Sequence, residues 1–333
     1  MLRLPPFEYF SPRSVAEAVR LLAERGPEAM IVAGGTDLYP NMKRRQFEPK
    51  TLVGLRAVSE LRRVEGSAER GLTIGAGMTL TQISQHPVVA QAYPALAYAA
   101  GVVSTAQLRN MGTIGGNLCL DTRCNYYNQS YHWRKSIGFC MKKDGDICLV
   151  ALSSPRCWAV SSSDTAPVMI ALGASVRLVG PPSGGERVIP AQALYRDDGM
   201  EYLTKAPHEI LSEIMLPPAD GLRTAYLKLR RRGAFDFPIL GVAVALRLAD
   251  DGTCTHAKIV LGAVASYPVE TQHAASLLIG QKLTPEVVEA AAQAAAKPAK
   301  PLDNTDMLLS YRKKMTPVYV ARALRQAAGL AMN

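Results

Sequence analysis

The order of apolar and polar positions divides the chain into alternating short helices and strands. Ser14 to Glu24 repeats apolar residues at helical spacing (Val15, Ala18, Val19, Leu22), with Ser14 placed to cap and Glu17 three residues on. Ala29 to Ala33 predicts a short buried strand that runs into Gly34-Gly35-Thr36-Asp37. Thr51 to Leu55 and Leu72 to Ile74 predict strands, Thr79 to Ser84 opens a helix, and Pro94 to Val103 predicts a buried one. Asn110 to Asn117 is a second glycine loop. After a cysteine-rich stretch, Pro167 to Ala174 predicts a helix, Ser175 to Val179 a strand, 181–185 a surface turn and Glu209 to Leu216 a strand. Pro217-Pro218 with Asp220-Gly221 is the best domain boundary, giving units 1–218 and 219–333. Beyond it lie three antiparallel strands, Thr224 to Leu229, Ile239 to Leu248 and Ala257 to Val264. Two alanine-rich helices follow, Pro285 to Ala296 and Pro317 to Ala328.

A strand followed by paired glycines and a polar turn is a recipe for binding phosphate. Without Cβ atoms the backbone approaches closely, and its N–H groups can face an anion. Neither the dinucleotide fingerprint nor the P-loop pattern occurs there, so a Rossmann or P-loop nucleotide site is not indicated. Whether the two glycine loops face one ligand is open at this stage.

Five of the six cysteines (Cys119, Cys124, Cys140, Cys148, Cys157) fall between the second glycine loop and Ser163-Asp164-Thr165-Ala166-Pro167. Cys124, Cys140, Cys148 and Cys157 are spaced by 16, 8 and 9 positions. No C-x-x-C pair is present, which disfavours zinc fingers, and this is not the compact ferredoxin spacing. Four thiolates from one extended loop can still surround a [4Fe–4S] cluster. Reduced, merely structural cysteines are the alternative, and spacing alone leaves Cys119 as a fifth candidate. A loop of this length with little periodicity is uncommon unless it has a function. Arg134, Lys135, Lys142 and Lys143 lie among the thiols, either as partners of an anionic cluster or as ordinary surface charges.

With 48% hydrophobic residues the chain can build a sizeable core. No run of about 18 apolar residues occurs, so no membrane span is expected. The first ten residues lack a basic segment followed by an apolar run, so a cytoplasmic protein with reduced thiols is expected. The net charge of +10 is spread over distant runs with only 6% aromatics, which argues against nucleic acid and for cofactor phosphates or acidic protein partners.

Ala33-Gly34-Gly35-Thr36-Asp37-Leu38 followed by Lys43, then Thr113-Ile114-Gly115-Gly116-Asn117, Ser163-Asp164 with Pro167, and Tyr226-Leu227-Lys228, together resemble the FAD-binding subunits of the xanthine dehydrogenase / carbon monoxide dehydrogenase family of molybdenum hydroxylases. The resemblance covers nearly the whole chain. It implies an α+β protein: a two-lobed FAD-binding domain followed by a small C-terminal α+β domain of antiparallel sheet plus helices. It also implies that Val32 to Leu38 wraps the FAD pyrophosphate and that Thr113 to Asn117 approaches the phosphates and ribityl chain. Asp164 would accept from cofactor hydroxyls, Lys228 would lie close by, and Val103 would make a backbone contact. Most of the family runs almost directly from the Gly-Gly-Asn loop to the Asp-x-x-Pro segment, whereas here residues 118–160 intervene. That insertion resembles the 4-hydroxybenzoyl-CoA reductase branch, whose beta subunits hold a [4Fe–4S] cluster in it. The branch pattern selects Cys124, Cys140, Cys148 and Cys157 and leaves Cys119 out. Further implications are a molybdenum-binding large subunit carrying molybdopterin, a small subunit with [2Fe–2S] clusters, a ferredoxin-type donor, and a dimer of heterotrimers. A hydroxylase flavoprotein passing electrons to NAD or a quinone is the alternative, and a non-enzymatic metal-organised module is a second.

Overall fold

A computed structural model describes residues 2–181 and 184–331, so Pro182 and Ser183 of the expected 181–185 turn lie outside the described residues. The chain opens with a small parallel sheet in the order Glu8–Phe10, Thr51–Gly54, Ala29–Val32. The helix Val15–Arg25 packs its apolar stripe (Val15, Ala18, Val19, Leu22) into the core beside that sheet. Glu17 N–H donates to the Ser14 hydroxyl at 3.1 Å, as the capping pattern requires. The Glu17 carboxylate takes the Arg13 N–H instead, at 2.8 Å, so the capping box is half formed.

The second sheet is antiparallel and five-stranded: Val64–Ser67, Gly71–Gly75, Ile210–Leu216, Ser175–Val179, Glu186–Pro190. Its three inner strands agree with the apolar pattern. The two edges do not announce themselves, because each buries at most one face and carries glutamate, arginine, glycine or proline. The third sheet runs Val269–Glu270, Cys254–Gly262, Leu240–Leu248, Arg223–Leu229, again antiparallel. Helix Thr165–Ala171 is buried over its entire length, and one continuous core joins it to Ile74, Ile214, Tyr226 and Val260, that is, to both antiparallel sheets.

The last helix spans Leu309–Ala328 with Pro317 inside it, eight residues longer at its start than the sequence predicts. Proline removes one helical hydrogen bond, and alone it would mark a helix start. Here the turn before it is held from outside. The buried Arg312 guanidinium donates to Ile239 O (3.2 Å), to Leu302 O (2.8 Å) and to Ala263 O. The Thr316 hydroxyl donates to Arg312 O at 2.9 Å. Within the cysteine stretch one short helix forms, Tyr131–Ser136, capped by Ser130. No helix among the described residues is long and apolar enough to cross a membrane.

Replacing Arg312 by alanine strands three carbonyls away from water, and each unsatisfied group costs about 1–3 kcal/mol. Arg312→Ala is therefore expected to lower the denaturant midpoint by an amount equivalent to roughly 3 kcal/mol or more in equilibrium unfolding.

Candidate flavin and thiol sites

Strand Ala29–Val32 delivers the first glycine loop to the mouth of the parallel sheet, and helix Leu38–Lys43 leaves it. A Cβ on Gly34 would collide with the Met111 carbonyl and stand 2.9 Å from the Gly112 Cα. The two glycine loops therefore lie against each other, which the sequence left open. Gly35 has φ +70°, and a Cβ there would run into the Tyr39 ring. Among the described residues no acceptor takes the backbone N–H of Gly34, Gly35, Thr36 or Asp37. Four successive free donors on a half-exposed loop fit an anion such as a pyrophosphate.

The second glycine segment is built differently: the expected loop gives way at Ile114–Leu118 to a short helix that the Thr113 hydroxyl caps. Ile114 N–H donates to Met78 O and Gly115 N–H to Ala76 O, both at 2.9 Å, and Gly116 N–H to the Thr113 hydroxyl at 3.1 Å. Of Thr113 to Asn117 only Gly116 is exposed. This loop braces the first one and presents one glycine to a ligand. The Asn117 side-chain carbonyl faces inward and accepts from Ser163 and Thr165.

Asp164 is buried, with one oxygen taking the Tyr226 hydroxyl and the other the Lys228 ammonium, both at 2.8 Å. Lys228 also donates to Val102 O at 3.1 Å, and Arg109 donates to Val103 O at 2.8 Å. Burial pushes the Asp164 carboxyl up and the Lys228 ammonium down from their ordinary values, while each partner's charge opposes the shift on the other. With its two near oxygens engaged, Asp164 first fixes the strand Arg223–Leu229 against the 163–165 segment. Any cofactor hydroxyl would use its remaining lone pairs.

The four cysteines come together. Cys124, Cys140, Cys148 and Cys157 line one pocket of about 250 Å³, its solvent-open part included, beside Tyr127 and Lys142. All six cysteines are free thiols. Burial pushes Cys124 up to about 12, with Cys140 and Cys157 adding to it. Burial also pushes Cys157 up to about 11; the Ala159 N–H and Lys142 oppose this, and Cys148 and Cys140 reinforce it. Among the described residues no group of three or more His, Cys, Asp or Glu side chains is placed to hold a metal ion. The four thiols line one pocket, and thiolates are ligands for soft metal ions and iron–sulfur clusters. Cys119 is elsewhere, half-buried against the second-sheet core near Tyr195 and Lys205, and Cys254 lies in the third sheet, donating to His256 O at 3.3 Å.

The insertion enters and leaves at one place. Arg123 N–H donates to Val160 O at 2.8 Å and Val160 N–H to Arg123 O at 2.7 Å. The Lys142 side chain is buried and donates to Asp121 (2.8 Å), Thr122 (2.7 Å) and Gly199 O (2.5 Å). Arg134 is buried too, donating to Arg44 O and Arg45 O at 3.0 and 3.1 Å, whereas Lys135 is exposed and Lys143 half-buried. Two of the four cations are therefore internal and two are surface charges. Sequence reasoning missed Gly199. Its N–H holds Cys157 O at 2.9 Å, and a Cβ there would stand 2.7 Å from Cys157 Sγ. Asp197-Asp198-Gly199 looks like any surface turn, so no local signal marks it.

Residues 5–219 match the family described as FAD binding domain in molybdopterin dehydrogenase, and residues 224–327 the CO dehydrogenase flavoprotein C-terminal domain. The chain belongs to the FAD-binding medium-chain family of the molybdenum hydroxylases. The carbon monoxide dehydrogenase medium chain of Hydrogenophaga pseudoflava is 32% identical, with 97% of each chain covered. The aldehyde oxidoreductase FAD-binding subunit of Escherichia coli (strain K12) is 31% identical over 96% of this chain and 99% of that one. A solved carbon monoxide dehydrogenase from Hydrogenophaga pseudoflava, lacking the Mo-pyranopterin moiety of its cofactor, superposes with a TM-score of 0.82 at 30% identity, covering 98% and 99% of the two chains. Mixed helix and sheet, an FAD-binding domain and a flavoprotein C-terminal domain are thus features of this oxidoreductase subunit. The matched family descriptions name FAD and do not name iron.

Gly34→Ala forces the two loops apart where only backbone can give way. FAD affinity of the reconstituted apoprotein is expected to fall by about tenfold or more, equivalent to about 1.4 kcal/mol, in a flavin-fluorescence titration, and the unfolding midpoint of the flavin-free protein to fall with it, because backbone must shift in the flavin-free state too.

Proposed function

We propose that this chain is the FAD- and [4Fe–4S]-carrying electron-transfer subunit of a molybdenum enzyme of the 4-hydroxybenzoyl-CoA reductase type. The observation that carries the reading is the convergence of Cys124, Cys140, Cys148 and Cys157 on one pocket, in a chain whose family otherwise needs only a flavin. On this reading residues 1–218 form the flavin domain, with the thiol insertion at about 118–160, and 219–333 the C-terminal domain. Val32 to Leu38 offer their free N–H groups to the pyrophosphate. Gly116, with Thr113 to Asn117 behind it, meets the ribityl side. Val103 and the Asp164–Lys228 pair close the opposite wall.

Bound FAD supplies exchange between one- and two-electron carriers, and a thiolate-held cluster supplies one-electron transfer. The protein's share is to hold both groups at fixed separation and to exclude water. Buried Lys142 beside the thiols offsets the negative charge that four thiolates bring, and the Ala159 N–H, 3.4 Å from Cys157 Sγ, does so on a smaller scale. The partners on this reading are a molybdopterin-bearing large subunit, a [2Fe–2S] small subunit and a ferredoxin-type donor, in a dimer of heterotrimers. Reduced thiols suit the cytoplasm. The likeness to carbon monoxide dehydrogenase and aldehyde oxidoreductase chains favours a second reading, in which FAD passes electrons from substrate outward to NAD or a quinone.

Anaerobically purified protein is expected to contain FAD with about four irons and matching acid-labile sulfide per chain. FAD without iron would select the second reading. Cys140→Ser is expected to lose the iron and keep the flavin, while Cys119→Ser keeps both. Equal iron loss from the two variants would refute the ligand set. Gly199→Ala pushes on Cys157 Sγ, and its iron should be released several-fold faster to a chelator than from the parent.

A further inference from the structure

We propose that Arg123 is a positioning residue that couples the thiol cage to the flavin loop, setting the charge seen by both redox groups. This rests on the function proposed above. Arg123 directly precedes Cys124, and its backbone forms the neck of the insertion with Val160. Its guanidinium pairs with the Asp37 carboxylate, in the first glycine loop, and lies 4.4 Å from the centre of the Phe237 ring. The other Asp37 oxygen accepts from the Asn41 amide at 3.1 Å. Among the described residues, Arg123 makes the only side-chain hydrogen bond from the insertion to residues 33–38. The residue is 8% exposed, and its Nε has no partner.

A buried guanidinium with one anion and an idle donor is costly to keep, since both its charge and its N–H were taken out of water. A structural clasp at this point could use a neutral side chain. A fixed positive charge is needed if what matters is the electrostatics on either side. Reduction adds negative charge to the cluster and to the flavin alike. A cation between them favours the reduced form of both, and Asp37 moderates that effect on the flavin side. The Phe237 ring also attracts the guanidinium and adds to the hold that Asp37 has on it.

The test is spectroelectrochemical titration of the purified holoprotein, with iron and flavin content measured on the same samples. Arg123→Met, which keeps the stem and removes the charge, is expected to retain iron and FAD and to move both midpoint potentials to more negative values. Arg123→Lys should restore most of the shift. Asp37→Asn should move the flavin potential the opposite way. The double variant should fall closer to the parent than the sum of the single changes, because the two residues share one interaction. Unchanged potentials in Arg123→Met with both cofactors in place overturn the proposal. If that variant does not fold, an unchanged flavin potential in Asp37→Asn overturns it equally. A parent protein without iron defeats the proposed function and the cluster half of this inference, and the flavin half then stands or falls on the flavin potential alone.

Discussion

The side-chain carbonyl of Asn117 holds together the place where flavin loop, insertion and core helix meet. It accepts from the Ser163 hydroxyl (2.9 Å), the Thr165 N–H (3.2 Å) and the Thr165 hydroxyl (2.6 Å), all buried. Asn117 ends the second glycine loop, and Thr165 begins the fully buried helix Thr165–Ala171. The insertion, residues 118–160, lies between them. With its two ends fixed to each other, a long excursion costs little extra closure entropy, because that cost rises only with the logarithm of its length. The thiols are therefore carried on a base that the flavin domain already holds rigid.

Three ion pairs mark the seams around this point: Asp121–Lys142 and Asp164–Lys228, both buried, and Asp37–Arg123, buried on the arginine side only. Each joins segments that are distant in sequence or belong to different layers. Buried pairs are poor net stabilisers, since desolvation consumes most of their attraction. Their placement at junctions, not inside any one core, argues that they specify how the pieces sit. Asp121 and Lys142 tie the neck to the wall of the thiol pocket. Asp164 and Lys228 tie the second sheet's helix layer to the third sheet.

What could be read in advance follows this division between local and distant causes. The spacing of Val15, Ala18, Val19 and Leu22 and the Ser14 cap are local, and the helix formed as they imply. Gly34 and Gly35 read as a close-approach loop, and free N–H groups are what the loop presents. The contact of Gly34 with Met111 joins residues far apart in the chain, so no pattern near either could reveal it. Pro317 misled for the same reason: the support for the turn before it comes through Arg312 from Ile239, Ala263 and Leu302. The cations among the thiols looked alike as letters. Only packing separated buried Arg134 and Lys142 from Lys135 and Lys143. Gly199, whose missing Cβ makes room for a cysteine sulfur, carries no mark that distinguishes it from an ordinary turn glycine.

The paired backbone bonds between Arg123 and Val160 have an evolutionary consequence. A segment that departs and returns across a single pair of facing residues is a cassette. A lineage can acquire or discard it in one genetic event while the surrounding domain keeps its shape. The host would register the change where the insertion leans on it: at Asp37 through Arg123, at Arg44 and Arg45 through Arg134, and at Gly199 through Lys142.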